Sequence, residues 1–586
     1  MKQFFKFVLA TFTGLILSGF FVILIISLWI GSMSKNENVT LKENSVLVVK
    51  LNHDLKDNTS DNPFDAFFSE LSPDVTKALG LYDVLKDIKA AKSNDNIEGI
   101  FLDLTFVSAG YGKLSEVREA LEDFKSEGKF IYAYGEVMYN KTYYLASVAD
   151  QIYLNPSGEL LFNGMVADVT FLKKTLAKMG IEMQAVKKGK FKGAIEPFVL
   201  DEMSEANRMQ ITAFMNSIHQ NTMTTISKAR GIDLATLQTI ADSMLVRNAD
   251  DAVILKMIDK VAYRDEVISA ILAKVELEDE DDLNWVSLSK FNTVVQQENK
   301  FKKDKIAIIF AEGSIVSGNG EEGEIGSDKF AKALKDARLD DDVKAVVLRI
   351  NSGGGSALAS EVIWRETMLL KAKKPLIVSM GDVAASGGYY IAALADTIVA
   401  NPSTITGSIG VFGMFPNAKG LYDKLGLHSE YITTAEHADF GRIDRPLNDF
   451  EKDFLQEIIS KVYGEFLTRV SDGRGLPRNH VDSIAEGRVY TGVMAKELGL
   501  IDVEGGLNKA IAIAASKAGI EKYGISAYPK NTNPFASFMT GFGGASLKEK
   551  WMKEELGVMY ETYKEIKAIQ GMSGVQAILP YSFNIK

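Results

Sequence analysis

Residues 135–157 read GEVMYNKTYYLASVADQIYLNPS, and residues 381–403 read GDVAASGGYYIAALADTIVANPS. Eleven of these 23 positions are identical, without a gap, when the chain is shifted by 246 residues. The same shift aligns one upstream and one downstream segment: Ile97–Leu102 with Val343–Leu348, and Met179–Ile181 with Leu425–Leu427. Chance similarity does not hold one register for over 80 residues, so the chain contains two copies of one module.

Each copy alternates short apolar runs rich in β-branched residues with segments of helical spacing. The predicted strands are Val46–Leu51, Gly99–Leu104 and Ile131–Tyr134 in the first copy, and Ile306–Phe310, Ala345–Ile350 and Leu376–Ser379 in the second. The predicted helices are Tyr82–Ala91, Ser115–Lys125, Lys329–Ala337 and Ser360–Lys371. This βαβα order is typical of a mainly parallel sheet with helices packed on it, so we predict an α/β fold class.

Composition excludes several classes of function. The 586 residues carry a formal net charge of −11, which disfavours nucleic-acid binding because a phosphate backbone requires a dense positive face. The absence of cysteine removes disulfides, thiol nucleophiles and zinc–thiolate sites. Only five histidines are present, and none forms an HExxH pair, so we expect neither a metal nor a cofactor. Hydrolytic chemistry would have to use Ser, Thr, Lys or carboxylates.

An uncharged apolar run over residues 7–33 predicts a single transmembrane anchor. About 20 residues are enough to cross the hydrocarbon layer, and this run exceeds that length. Lys2 and Lys6 precede it, which favours a cytoplasmic N-terminus and an exported body. A cleaved signal peptide is the alternative, but its apolar region would be shorter, and residues 28–33 make a poor cleavage context.

These patterns divide the chain into six predicted parts. They are a cytoplasmic N-terminus (1–6), the anchor (7–33), a first α/β domain (45–290), a linker (291–304), a second α/β domain (305–529), and a loosely structured tail (530–586) with an amphipathic helix near Leu547–Ile569.

A serine turn in the second copy is a candidate for nucleophilic chemistry. Ser386 follows a predicted strand and lies between Ala384-Ala385 and Gly387-Gly388, whereas the first copy has the bulkier residues 138–142 there. The module therefore tolerates large residues at this turn, and the small ones indicate access to a nucleophile. A second glycine-rich turn, residues 351–356, could bind an anion or stabilise an oxyanion, although glycine also serves tight turns on steric grounds alone.

Activation of Ser386 requires a base. Asp382 and Asp396 have acidic counterparts in the copy without the serine, which favours structural roles, while His428 and His437 on a predicted loop stay open. Lys192, between Phe191 and a stretch of apolar residues, is the better candidate, because a lysine acts as a general base only when burial keeps it neutral. For Lys187, Lys188 and Lys190 a solvated loop is the simpler interpretation. The second copy has no lysine at the equivalent place, so each copy would supply half of one site.

Taken together, these motifs resemble the long-form signal peptide peptidases of serine peptidase family S49. They are the Asn-Ser-x-Gly-Gly-Ser turn, Gly-Asp-x-Ala-Ala-Ser-Gly-Gly-Tyr-Tyr, Asn-Pro-Ser-Thr-Ile-Thr-Gly-Ser-Ile-Gly and Lys-Gly-Ala-Ile-Glu-Pro-Phe. The resemblance covers nearly the whole chain. It implies tandem Clp-protease/crotonase-like α/β domains behind one N-terminal transmembrane helix.

The resemblance also implies roles for five residues. Ser386 would be the nucleophile and Lys192 the general base of a Ser–Lys dyad. Ser408 would orient the lysine, and Phe162 stands at that position in the first copy. Backbone amides of Gly354 and Gly387 would form the oxyanion hole, with Gly353 in place of the family's usual proline.

The expected function is ATP-independent endopeptidase activity on cleaved signal peptides and other hydrophobic peptides. The resemblance implies a single-pass protein of the inner membrane, with its catalytic body on the periplasmic side, that assembles as a homo-oligomer, by resemblance a homotetramer. Two alternatives stay open: a crotonase-like acyl-CoA enzyme, and a catalytically silent scaffold that binds membrane proteins.

Overall fold

The structure is a computed structural model that describes residues 2–33, 41–59, 79–298, 302–321, 323–529, 552, 555, 557, 560 and 575–579. Helix α1 is Lys2–Met33, and the side chains described in it are exposed as far as Phe21. Among the described residues, no helix combines the length and the apolar character needed to cross a membrane. The anchor over residues 7–33 stays a prediction.

The first copy contains nine strands and ten α-helices among the residues described. Its strands are β1 Ser45–Val49, β2 Leu55–Lys56, β3 Leu79–Gly80, β4 Ile97–Asp103, β5 Phe130–Tyr139, β6 Gln151–Leu161, β7 Glu182–Lys188, β8 Lys260–Val261 and β9 Asn284–Ser287. Its helices are α2 Leu81–Lys92, α3 Tyr111–Lys125, α4 Asn140–Ala146, α5 Lys173–Met179, α6 Glu196–Val199, α7 Glu205–Arg230, α8 Leu234–Asp242, α9 Ala249–Ile254, α10 Arg264–Lys274 and α11 Leu288–Glu298.

The second copy repeats the alternation of strands and helices. Its strands are β10 Lys305–Glu312, β11 Ser314–Val316, β12 Glu324–Gly326, β13 Val343–Ser352, β14 Gly354–Ser356, β15 Leu376–Ala385, β16 Thr397–Ala400, β17 Ile405–Gly407, β18 Val411–Asn417, β19 Val489–Thr491, β20 Val503–Glu504 and β21 Gly524–Tyr528, with β22 Val575–Ile578 from the tail. Its helices are α12 Ser327–Leu339, α13 Ala357–Lys371, α14 Gly387–Ala392, α15 Lys419–Leu425, α16 Asp449–Arg474, α17 Arg478–Ile484, α18 Gly492–Glu497 and α19 Leu507–Ala518.

Two corresponding sheets form the centre of the two copies. The first has the order β8-β6-β5-β4-β1-β9 and is parallel throughout; the second contains the path β19-β17-β15-β13-β10-β21, in which only β19 is antiparallel to its neighbour. The shift of 246 residues maps β5 onto β15 and α5 onto α15 residue for residue. The predicted α/β class is confirmed, because buried β-branched strands alternate with helices in both copies.

A third sheet joins the copies, in the order β12-β11-β14-β22-β18-β7. Strand β7 belongs to the first copy and pairs antiparallel with β18 of the second over seven residue pairs, from Lys188 opposite Val411 to Glu182 opposite Asn417. This pairing places the segment after β7, which contains Lys192, against the second copy.

Buried ion pairs also connect the copies. Arg349 of β13 is fully buried, and its guanidinium donates to Asp57 Oδ1 at 2.9 Å and to Glu116 Oε1 at 2.7 Å, both from the first copy. Burial alone would raise the pKa of the Asp57 carboxyl, but the charges of Arg349 and Lys113 hold it below its usual value. Since β13 leads into the glycine-rich turn, this cluster fixes that turn against the first copy.

Two boundaries differ from those predicted. The linker expected over residues 291–304 is helical as far as Glu298, because Phe291 and Val295 of α11 are buried on one helical face. The tail contributes β22, which its loop-like composition did not predict. The amphipathic helix expected near Leu547–Ile569 lies outside the described residues except at four isolated positions.

Replacing Arg349 by Met should destabilise the protein strongly. The change leaves the Glu116 carboxylate buried without its cation and leaves Asp57 with Lys113 alone, and breaking a buried ion pair in this way costs about 3–5 kcal/mol. Urea unfolding measures the difference. Lys332→Met, which breaks an exposed pair with Asp336 on α12, is the control and should change the free energy of unfolding by less than about 1 kcal/mol. Equal losses in the two variants would contradict the structural role of the cluster.

Candidate active site

Ser386 occupies a strained turn between β15 and α14. Its φ of 54° and ψ of −116° lie in a region that non-glycine residues rarely adopt. Hydrogen bonds hold this backbone in place: Ser386 N donates to Gly407 O at 2.8 Å, and Tyr390 N donates to Ser386 O at 2.8 Å. Asn140, at the same position of the first copy, is simply the first residue of α4. The strain is therefore absent from the copy without the serine.

The glycines after Ser386 are required by packing as well as by access. A Cβ on Gly387 would lie 2.7 Å from Ser360 Oγ, and one on Gly388 would lie 2.7 Å from Ser352 O. The small residues at this turn are therefore explained both by close packing and by access to the Ser386 hydroxyl. Both glycines let α14 approach the turn that follows β13.

Lys192 meets Ser386 inside one chain. Its side chain is fully buried, and Nζ lies 2.7 Å from Ser386 Oγ, 3.0 Å from Ser408 Oγ and 3.1 Å from Ser408 O. The three residues expected to act together are thus brought to one point, with the lysine supplied by the first copy and both serines by the second.

The Lys192 amine is held in a form that can accept a proton. Burial moves the pKa of Lys192 well below the usual 10.5, because a buried ammonium group loses its hydration. The hydrogen-bond partners of Nζ among the described residues are Ser386 and Ser408, and neither carries a negative charge. A neutral amine has one lone pair and two N–H donors. It can therefore accept from the Ser386 hydroxyl while donating to Ser408.

Supports for Lys192 come from groups that the sequence did not single out. Glu196 is buried and accepts from Ser204 Oγ at 2.6 Å and from Asn207 Nδ2 at 2.9 Å, which ties the loop after Lys192 to the start of α7. Gln210 donates to Phe191 O at 2.9 Å and accepts from a second-copy amide. The sequence did offer one indication of this role, because Glu196 is an acidic residue within the largely apolar stretch 191–198.

Ser408 is positioned by a second strained turn. Its φ is 51°, and its N–H donates to Arg488 O at 2.7 Å. The turn follows β17, which pairs with the end of β15 beside Ser386. Two non-glycine residues with positive φ therefore lie in contact with the same amine.

The glycine-rich turn after β13 faces this site. Gly354 has a φ of 98°, and its N–H donates to Ser352 Oγ at 3.1 Å. Gly355, the next residue, lies opposite Ala577 of β22 in the antiparallel register. Leu579 N donates to Gly353 O at 2.6 Å, which extends this antiparallel pairing by one residue beyond β14.

The tail strand β22 occupies the cleft next to Ser386. It runs between β14 and β18 and is antiparallel to both. The carbonyl oxygen of Ala577 would lie 2.0 Å from a Cβ on Gly354 and 3.1 Å from one on Gly387, so it sits between the two glycines expected to face an oxyanion. A segment of the chain itself thus lies in the cleft as an extended peptide would.

A cavity of about 460 Å³ opens beside the glycine-rich turn. Both copies line it. Its residues include Tyr111 and Lys141 from the first copy, Asp382, Val383 and Ile405 from the second, and Leu579 from the tail.

The other candidates do not contact Ser386. His428 is exposed beside Glu430, and His437 stacks on Phe450 with ring centroids 4.0 Å apart. Asp396 accepts from a strand amide, and Asp150 does the same in the first copy, in keeping with a structural role. Within the described ranges, no three His, Asp or Glu side chains cluster so that they could hold a metal ion.

Comparison with known proteins gives a family. The model of peptidase family S49 matches residues 123–278 and 368–521, one match in each copy. The protein named Protease 4 of Salmonella typhi is 35% identical over 490 residues, covering 82% of this chain and 79% of the relative. The chloroplastic serine protease SPPA of Arabidopsis thaliana is 33% identical over 461 residues, covering 77% and 68%.

One solved structure is similar over part of the chain. It is a ClpP1 mutant from Listeria monocytogenes, 13% identical, and the match covers 35% of this chain and 94% of that one with a TM-score of 0.24. A TM-score this low does not assign a shared fold.

Lys192→Met should stabilise the protein by a pH-dependent amount, because it removes an amine whose charged form is disfavoured by burial. The unfolded chain holds a proton on this amine below about pH 10.5, whereas the folded chain releases it, so stability rises with pH over this window. The gain in unfolding free energy from the substitution should therefore be largest near neutral pH and shrink towards pH 10. Urea unfolding across this range measures it, with Lys190→Met, an exposed neighbour, as control. A gain that does not change with pH would contradict the neutral amine.

Proposed function

The chain belongs to peptidase family S49 and is a serine peptidase, and from this premise we propose that it cleaves peptides with a Ser–Lys dyad built from both copies. Ser386 is the nucleophile, Lys192 the general base, and Ser408 the residue that orients the lysine. The observation that carries this proposal is the 2.7 Å contact between a fully buried lysine amine and the hydroxyl of a strained serine.

Acylation begins with proton transfer from Ser386 to neutral Lys192. Oγ attacks the scissile carbonyl carbon, and the carbonyl electron pair moves onto oxygen. As the tetrahedral intermediate collapses, the lysine ammonium gives its proton to the leaving nitrogen and the C–N bond breaks. Water then attacks the acyl ester, Lys192 accepts a proton from that water, and the proton returns to Ser386 as the acid is released.

The oxyanion is stabilised by backbone amides at the junction of the two turns. Gly387 N–H is one donor, and the Gly354–Gly355 turn supplies the other. The Gly354 N–H donates to Ser352 Oγ in this structure, and the next residue, Gly355, lies opposite Ala577 in the pairing of β14 with β22. Each such donor is worth about 2.7–4 kcal/mol of transition-state stabilisation.

Substrates bind as an added strand between β14 and β18. The position of β22 supports this, because main-chain pairing on both sides admits only extended peptides and excludes folded proteins. Apolar neighbours such as Val383 and Ile405 favour hydrophobic peptides. We propose cleaved signal peptides as the substrates, and no cofactor.

The setting of this activity is a membrane surface. The uncharged run over residues 7–33 supports an anchor, and the lysines before it support an inner-membrane protein with its catalytic body on the periplasmic side. The resemblance supports a homo-oligomer. The acyl-CoA alternative would need free carboxylates in the pocket, whereas both carboxylate oxygens of Asp382 accept hydrogen bonds from backbone amides. The alternative of a catalytically silent scaffold would give no reason for a buried lysine beside Ser386.

Ser386→Ala and Lys192→Met should each lower kcat for hydrophobic peptides by at least about 10³-fold while the protein stays folded. A fluorophosphonate probe, mapped by mass spectrometry, should label Ser386 in the wild type and in Lys190→Met but not in Lys192→Met. In the wild type, kcat/KM should rise with pH through the lowered pKa of Lys192. Full cleavage by either of the first two variants would refute the dyad.

Removing the tail strand should open the cleft. A chain that ends after Gly574 lacks β22 and should show a lower KM for peptides, because substrate no longer competes with residues 575–579. The matched control ends after Leu579, keeps the strand and should behave as the full chain does. Equal KM values for the two truncated chains would show that β22 does not compete with substrate.

A further inference from the structure

The tail strand gives a direction to the cleft. With the Ala577 carbonyl between the two glycine turns, the residues that follow it, Ile578 and Leu579, line the 460 Å³ cavity. A substrate lying as β22 lies would place the residues after its scissile bond in the same cavity. The cavity is therefore the binding site of the leaving fragment.

One cation in this cavity forms no ion pair with any described residue. Lys141 is partly buried and lines the cavity, and no hydrogen bond or ion pair of its ammonium is found among the described residues. The Lys141 ammonium lies over the ring of Tyr111, whose centroid is 5.7 Å from Nζ. Burial of a charge is unfavourable unless a partner of opposite charge is supplied.

Among the residues that the structure describes, one acidic side chain lines the cavity, and its oxygens already accept hydrogen bonds. Asp382 accepts from Gly110 N at 3.2 Å through Oδ2 and from Lys113 N at 2.9 Å through Oδ1. No ion pair forms between Asp382 and the Lys141 ammonium; burial lowers the pKa of Lys141, and the Asp382 charge partly offsets that lowering. Asp382 thus serves the start of α3 rather than Lys141.

The duplication explains how this cation reaches the site. Lys141 stands at the position of Gly387 in the second copy, where a side chain would collide with Ser360. The first copy has no nucleophile to accommodate at this turn, so the position is free to carry a long side chain, and that side chain extends into the cleft between the copies.

We propose that Lys141 is a specificity-determining residue that binds a carboxylate of the leaving fragment. The carboxylate is either an acidic side chain within two residues after the scissile bond or the free C-terminal carboxylate of a short leaving fragment. This inference rests on the proposed peptidase function, because it assigns the leaving-fragment side of that same cleft.

Two pairs of peptides test it, with cleavage followed by chromatographic separation of the products. All carry Val-Gln-Ala before the scissile bond; the first pair continues with Ile-Glu or Ile-Gln inside a longer peptide, and the second ends in Ile-Leu with a free carboxylate or an amide. Wild-type kcat/KM should favour the carboxylate member of at least one pair by about tenfold, the lower value expected for a hydrogen bond to a charged group. The pair that responds identifies the source of the carboxylate.

Variants separate charge from shape. Lys141→Met should bring the ratio within each pair close to one, and Lys141→Arg should keep it. Lys190→Met, an exposed lysine outside the cavity, should leave the wild-type ratio unchanged. A ratio near one in the wild type for both pairs, or a ratio that survives in Lys141→Met, overturns the proposal.

A binding measurement keeps this outcome separate from that of the peptidase proposal. Fluorescence anisotropy with Ser386→Ala should give the same carboxylate preference in Kd. If no peptide is cleaved but the Kd ratio is present and is lost on adding Lys141→Met, the catalytic proposal fails and the carboxylate site stands. If peptides are cleaved without any preference in kcat/KM or Kd, the carboxylate site fails alone.

Discussion

Burial of the Lys192 amine between the two copies is the constraint on which the site depends. A lysine at a solvated position is charged at neutral pH and cannot take a proton from a serine. Removing the amine from water lowers its pKa well below the usual value and so favours the neutral form, and its described hydrogen-bond partners are two serines. Neither copy could do this alone, because the lysine and the cavity that desolvates it come from different halves of the chain.

The energetic cost of this arrangement is met by the interface between the copies. Strand β7 pairs with β18 immediately before Lys192, and Glu196 fixes the loop immediately after it. On the other side, the pairs of Arg349 with Asp57 and Glu116 hold β13 and its glycine turn. Strand pairing and the hydrogen bonds of Glu196 thus fix the Lys192 loop, and the ion pairs of Arg349 fix the glycine-rich turn.

Of the turns that carry Ser386, Ser408 and their first-copy counterparts, only those of the second copy contain non-glycine residues with positive φ. Ser386 and Ser408 both have positive φ, whereas Asn140 and Phe162, their counterparts, are ordinary helix and loop residues. Such conformations persist only where the surroundings over-determine them. The first copy does not need a strained turn with small residues at this place, and its turn carries Lys141 into the cleft.

Much could be predicted from the sequence because it depends on local pattern. The βαβα order follows from apolar periodicity, and the duplication follows from identities at a constant shift of 246 residues. Ser386 was a candidate because its small neighbours differ from the other copy, and Lys192 because a lysine among apolar residues is unusual. These are properties of short segments, which the amino-acid sequence determines by itself.

Contacts between distant segments were decided only by the tertiary structure. No local pattern shows that Lys192 lies 2.7 Å from a serine 194 residues away, that α11 extends the first copy into the expected linker, or that residues 575–578 pair with β14. The physical reason is that main-chain pairing is nearly independent of side-chain type. A strand's partner is therefore set by which edges remain open once both copies have packed.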